Sequence, residues 1–237
     1  MNEQSRRPPR FVLVTGTDTE VGKTITTAAL TVWQHAAGRR VAVVKPAQSG
    51  IQPDEPGDVD VIRRLSDIRE AYELVRLPEP LAPESAALRS GAELPPVAEL
   101  AERTVAAASA AGAEVALVEG AGGVTVRLDR DGGTLLDIGR CLRAHGDVEV
   151  IVVVRAELGT LNHTVLTVDA IRAAGLDVAG LVIGAWPADP NLSACANRED
   201  LPRITRLPLL AAIPAGAGDL PPEEFQRQAA SWYEMRG

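Results

Sequence analysis

Apolar residues along the chain gather in short unbroken runs rather than in strict alternation with polar ones. The runs are Phe11 to Val14, Val41 to Val44, Val115 to Val118, Val148 to Val154, Val178 to Ile183 and Leu207 to Ile213, each bounded by glycine, proline or charged residues. Runs of this length that stay apolar on both faces are the mark of strands buried in the middle of a layered molecule. Between them lie helix-length stretches: Lys23 to Ala37, Asp58 to Leu65, Val97 to Ala111, Thr134 to Ala144, Leu161 to Ala174 and Asn197 to Arg206. In the first, Ile25, Ala28, Ala29, Val32 and Ala36 recur at helical spacing, so one stripe meets the sheet while Gln34 and Arg39 are expected in water. The alternation predicts an α/β fold with a mostly parallel central sheet and helices on both faces, whose ligands collect at the carboxyl ends of the strands. The segments around Pro78 to Pro83 and Pro95-Pro96 read as surface connections, and Pro221-Pro222 opens a last short helix through about Trp232 that carries no functional signal.

The first strand feeds Gly16-Thr17-Asp18-Thr19-Glu20-Val21-Gly22-Lys23-Thr24, and a helical pattern follows from Ile25. A turn between a buried strand and a helix aims backbone N–H groups and the positive end of the helix dipole at one point, which favours an anion. Lys23 adds a charge for the outer phosphates of a nucleotide and Thr24 a hydroxyl for magnesium. Five residues rather than the usual four separate Gly16 from Gly22, so the loop is a lengthened phosphate loop. The fold class is therefore a single-domain phosphate-loop NTPase fold over residues 11–237, preceded by a loose polar leader at 1–10.

Other strand ends add chemistry to the same rim. Lys45-Pro46-Ala47-Gln48-Ser49-Gly50 closes the second strand, and with the first strand as its neighbour Lys45 offers a second cation and Ser49 a hydrogen bond. The third strand ends in Glu119-Gly120-Ala121-Gly122-Gly123. A carboxylate at the tip of a buried strand needs a cation or donors to compensate it, and magnesium would do so. A further oxygen ligand comes from Asp54-Glu55-Pro56-Gly57-Asp58-Val59-Asp60, among which spacing does not choose, and Asp58 and Asp60 also suit helix capping. The fourth strand runs into Glu157-Leu158-Gly159-Thr160-Leu161-Asn162-His163, where N–H groups of a helix start face a carboxylate or merely cap the helix. His163, a lone histidine in a first helical turn, is read as structural.

Composition narrows the partners. The chain of 237 residues is 46% hydrophobic and 24% charged, which suits a globular α/β molecule, and its formal charge of −8 argues against a nucleic-acid binder. The longest strongly apolar run is far shorter than a bilayer span, so no membrane partner is expected. Cys141 and Cys195 lack metal-ligand spacing and a disulfide framework, no apolar signal region opens the chain, and the cytoplasm is the expected compartment.

Taken together, the four ordered motifs resemble the dethiobiotin synthetase family over nearly the whole chain. Gly16 to Thr24 is similar to its long phosphate loop, Lys45-Pro46 with Ser49-Gly50 to its second motif, Val118 to Gly123 to its third and Leu158 to His163 to its fourth. The resemblance implies that Lys23 and Lys45 act on phosphate and a carbamate, with Thr19 and Ser49 beside the substrate. It implies a nucleotide site of Glu20, Val21, Gly22, Lys23, Thr24, Ile25, Asp58, Glu119, Gly120, Ala121 and Gly122, with Mg2+ held by Thr24, Asp58 and Glu119. Asp58, not Asp60, precedes Arg64 by the family's interval. Thr160, Leu161 and Asn162 would hold the substrate carboxylate across a homodimer interface. The implied reaction is ATP-dependent closure of 7,8-diaminononanoate and CO2 to dethiobiotin.

One position departs from the family. Many relatives carry an adenine-reading asparagine after the fifth strand where this chain has Gly184. Backbone groups of Gly184, Ala185, Pro214, Ala215 and Gly216 are expected at the base instead, with weakened discrimination among nucleoside triphosphates. The competing expectation is a regulatory ATPase of the partitioning or division-site type, which would carry a further lysine where Asp18 stands.

Overall fold

The computed structural model describes residues 8–233. In chain order the elements are β1 (Arg10–Gly16), α1 (Lys23–Ala36), β2 (Val41–Lys45), β3 (Gln48–Ser49), α2 (Asp58–Ser66), β4 (Ala71–Glu73), β5 (Arg76–Leu77), α3 (Pro83–Ser90), α4 (Val97–Ala110), β6 (Val115–Gly123), α5 (Leu135–Leu142), β7 (Val148–Val154), α6 (Thr160–Ala173), β8 (Asp177–Trp186), α7 (Leu192–Thr205), β9 (Leu209–Pro214) and α8 (Pro222–Trp232). Seven strands form one sheet in the order β4-β2-β6-β1-β7-β8-β9. Each neighbouring pair in it is parallel.

Alternation within each strand divides the core in two. Phe11 and Leu13 of β1 face α4, α5, α6 and α7, together with Ala116 and Val118 of β6 and Val150 and Val152 of β7. Val12 and Val14 face α1, α2 and α8, together with Val41 and Val43 of β2 and Val115 and Leu117 of β6. This parity has a direct functional consequence, because side chains two residues apart share a face. Lys45 continues the row of Val41 and Val43, and Glu119 continues that of Val115 and Leu117. Both therefore emerge on the α1 side of the sheet. The register pairs Val43 with Leu117 and Val44 with Val118, so the lysine and the glutamate end their strands side by side.

Several expectations need correction. β1 and β2 are not neighbours: β6 lies between them, so Glu119 sits nearer the middle of the rim. Gln34 is buried, and its Oε1 accepts from Arg39 Nη1 at 2.8 Å, which satisfies the side-chain carbonyl. The proline-rich connection at 78–83 leads straight into a helix, α3, because proline at a first helical position gives up only an N–H that would be unpaired there. α7 starts at Leu192, five residues before Asn197, with the Asn191 side chain accepting from Ala194 N at 2.9 Å. Arg10 already belongs to β1, and residues 1–7 of the expected leader lie outside the described residues. Among the described residues no helix is long and apolar enough to cross a membrane.

The end of β8 supports the loop after β1 by direct backbone contact. A Cβ placed on Gly184 would stand 2.0 Å from the Val21 carbonyl oxygen and 2.7 Å from Val153 Cγ1. Neither backbone can yield as a side-chain tip would. Gly184→Ala should therefore lower unfolding free energy by about 1–3 kcal/mol, the usual cost of overpacking. Urea denaturation checks it, and an unchanged midpoint would mean that the two backbones part freely.

Candidate functional site

The loop between β1 and α1 curls tightly because two of its positions take left-handed backbone. Gly22, which caps α1, has φ 93°, and Glu20 has φ 56°. Gly16 leaves the space inside the curl, where an added Cβ would meet Val21 Cγ2 at 2.6 Å and the Asp18 carbonyl at 2.8 Å. Lys23 folds back across the loop and donates to the Asp18 carbonyl at 2.9 Å. Burial pushes its pKa down, with repulsion from Lys45 adding to the effect and Glu119 partly opposing it. An anion that paired with Lys23 would relieve both costs.

Beside the loop lies a buried charge cluster. Lys45 Nζ is 2.8 Å from Glu119 Oε1 and 2.6 Å from Asp58 Oδ2, and the Lys45 and Glu119 side chains are 4% and 0% exposed. Thr24 Oγ1 donates to Glu119 Oε1 at 3.1 Å and Thr27 Oγ1 to Oε2 at 2.6 Å. Burial works against the ammonium of Lys45, but the charges of Glu119 and Asp58 and their hydrogen bonds prevail and push its pKa up to about 12. For Asp58, burial acts upward on the pKa, and the charge and hydrogen bond of Lys45 outweigh it, holding the carboxyl below its ordinary value. Lys45 therefore carries its charge at neutral pH, and the point where the carboxylates converge stabilises a cation.

A cleft of about 480 Å3 opens over this cluster. Its walls bring together Thr19, Glu20, Gly22, Lys23, Thr24, Ile25, Lys45, Ser49, Asp58, Ala121 and Gly122, all expected site residues. Val21 and Gly120 are buried behind it, and Glu119 reaches it through Thr24 and Lys45. Gly184 is buried against Val21, while Ala185, Pro214, Ala215 and Gly216 are exposed at the ends of β8 and β9 and do not line the cleft. Thr160, Leu161 and Asn162 open α6, with Thr160 buried and Asn162 exposed, and they too stand outside the cleft walls.

Three participants escaped the sequence reading. Thr27 sits one helical turn beyond Lys23, a spacing that could have pointed to it. Gln48 accepts from the Asp58 N–H at 3.1 Å and so fixes the start of α2, and Ala47 lines the cleft. Among the described residues no group of three or more His, Cys, Asp or Glu could hold a metal ion. The donor set is instead two carboxylates and a hydroxyl, hard oxygens in the small number that magnesium accepts when phosphate and water complete its shell.

The family described as AAA domain matches residues 10–218. An ATP-dependent dethiobiotin synthetase BioD of Rhodococcus jostii is 48% identical over 224 residues, covering 94% of each chain. One of Streptomyces avermitilis is 49% identical over 225 residues, 95% of this chain and 92% of that one. Among solved structures, the cell division ATPase MinD of Pyrococcus furiosus superposes with TM-score 0.55 at 20% identity, covering 95% and 94% of the two chains. The septum site-determining protein MinD of Pyrococcus horikoshii, complexed with Mg-ADP, gives 0.57 at 17% identity over 94% and 92%. At those identities the likeness is one of fold, a sheet wound as in phosphate-loop NTPases.

Because the folded pKa of Asp58 lies below its ordinary value of 3.8, its contribution to stability is complete above that value and is lost as pH falls through the folded one. Asp58→Asn removes this acid limb. Between about pH 5 and about pH 2 the thermal midpoint of the variant should fall less than that of the parent protein. Parallel curves would contradict the pairing.

Proposed function

The chain belongs to the ATP-dependent dethiobiotin synthetase family, and on that footing we propose how its cleft closes the ureido ring of dethiobiotin. The protein is a cyclo-ligase of biotin synthesis, using a nucleoside triphosphate, 7,8-diaminononanoate and CO2. The observation that carries the residue assignment is Lys45, a buried cation next to Asp58 and Glu119 and on the same wall as Lys23.

One amine of the substrate adds to CO2, forming a C–N bond and releasing a proton, and the product is a carbamate. A carbamate oxygen then bonds to the γ-phosphorus as its bond to the β,γ-bridging oxygen breaks, so that a carbamic-phosphoric anhydride and the nucleoside diphosphate form. The second amine attacks the carbonyl carbon and gives up a proton, the bond from that carbon to the phosphate oxygen breaks, and the proton leaves with the phosphate as the ring closes. No side-chain nucleophile is required. The obstacle is to press two anions together, and Lys45 and Lys23 lower it by meeting the charge that develops on both. Thr19 and Ser49 orient the substrate at the mouth of the cleft. Thr24, Asp58 and Glu119 would hold Mg2+, which when bound neutralises phosphate charge.

The carboxylate end of the substrate is assigned to the N–H groups of Thr160, Leu161 and Asn162, in a site shared between two copies. Their place outside the cleft walls agrees with a second copy completing the site. Leu158 and Leu192, each 87% exposed, offer apolar surface beside α6 and α7 for such a partner. Cys141 and Cys195 are free and exposed, as a reducing compartment permits, which supports the cytoplasm. The base is assigned to the backbone near Gly184, Ala185 and Pro214 to Gly216.

Incubation of the protein with diaminononanoate, bicarbonate, magnesium and ATP should yield dethiobiotin by mass spectrometry. Lys45→Gln should remove at least about 99% of turnover, since a charge aimed at the transition state is lost. Circular dichroism and thermal melting of the variant separate lost chemistry from lost fold, because Glu119 also loses its cation. Product formed at the parent rate would dismiss Lys45 from the mechanism. With no side chain at position 184 to read a base edge, kcat/KM for ATP, CTP and GTP should agree within about tenfold. A strict preference for ATP would refute the backbone assignment.

A further inference from the structure

Arg155, the first residue after β7, holds the outer turn of the phosphate loop. Its Nη2 donates to the Thr19 carbonyl at 2.9 Å and stands 3.6 Å from Asp18 Oδ2. The reach is short because β7 runs beside β1, with Val153 level with Gly16 and its carbonyl accepting from Thr17 N at 3.0 Å. The mounting is firm as well. The carbonyls of Ala156 and Glu157 accept from Asn197 Nδ2 at 2.8 and 3.0 Å, and Asn197 is buried under the loop from α7.

The peptide that Arg155 grips is the one that precedes Glu20. Glu20 adopts left-handed backbone, which a non-glycine residue keeps only where its surroundings enforce it. In a trans peptide the carbonyl and the N–H point in opposite directions, so fixing the Thr19 oxygen on Arg155 turns the Glu20 N–H away from the guanidinium. The preceding carbonyl, that of Asp18, is held by Lys23. Two successive carbonyls of the loop thus rest on two cations, and only one of these is free to stay. Lys23 is the residue that a bound phosphate recruits.

We propose that Arg155 is a positioning residue for the nucleotide: it keeps the Asp18–Glu20 turn in its phosphate-accepting shape while Lys23 engages phosphate. The inference rests on the reading of the cleft as the triphosphate site. Its role is exercised through Thr19 and Glu20, not by contact with the reacting atoms, so the signature is a change in nucleotide affinity with little change in the chemical step.

The test compares the parent protein, Arg155→Gln and Arg155→Lys in binding of a non-hydrolysable ATP analogue with magnesium, in steady-state kinetics and in thermal melting. Arg155→Gln should raise the Kd for the analogue and the KM for ATP about tenfold, the scale of one charge-assisted hydrogen bond. Its kcat at saturating ATP and diaminononanoate should stay within about twofold, and Arg155→Lys should recover most of the affinity because it keeps a charged donor. Unchanged nucleotide affinity in Arg155→Gln would overturn the proposal and leave the site assignment standing. So would a lowered melting temperature with a reduced kcat and all affinities intact, which is the mark of a merely structural residue. If the parent protein itself binds no triphosphate, the site assignment fails and this proposal with it.

Discussion

A fully buried carboxylate beside a nearly buried ammonium is expensive, and the arrangement around it follows from that cost. Glu119 cannot lose its charge partners without stranding a charge in the interior, and removing one member of such a pair costs about 3–5 kcal/mol. The fold meets the demand with four side chains from three elements: Lys45 from β2, Asp58 from α2, and Thr24 and Thr27 from α1. Strand parity alone puts the lysine and the glutamate on the α1 face, and α1 then supplies the hydroxyls. A group that satisfies the cluster in this way can exchange one cation for another, which is the property a site for a metal-bound polyanion requires.

What could be read from residues was what depends on periodicity and on strand ends. Six apolar runs announced the six longest strands, and the residues just past them announced the chemistry at the rim. Strand order was not legible, because runs apolar on both faces do not declare their neighbours, and β6 came between β1 and β2. Strands of two or three residues such as β3, β4 and β5 carry too little pattern to register. α3 was masked by Pro83, which signals a connection as readily as a first helical turn. Arg155, Gln48 and Asn197 do their work through hydrogen bonds to distant backbone groups, and nothing in their sequence neighbourhoods encodes the partner.

The likeness to division-site ATPases shows how little a shared sheet says about chemistry. The winding, the loop and its helix are common to both groups. What decides the chemistry here is carried by individual positions, such as Lys45, which lines the cleft from the end of β2. Identity of 48–49% with dethiobiotin synthetases over more than nine-tenths of the chain speaks for the same chemistry.

The closeness of Gly184 to Val21 also limits how this cleft could be remade. Position 184 has no room for any side chain while the strand and the loop keep their present separation. An evolutionary or engineered route that adds a side chain beside this part of the loop therefore cannot begin there by single replacement. It would first have to move the loop outward, disturbing the phosphates it cradles, or else recruit the open rim at Ala185 and Pro214, where new side chains can grow without displacing anything.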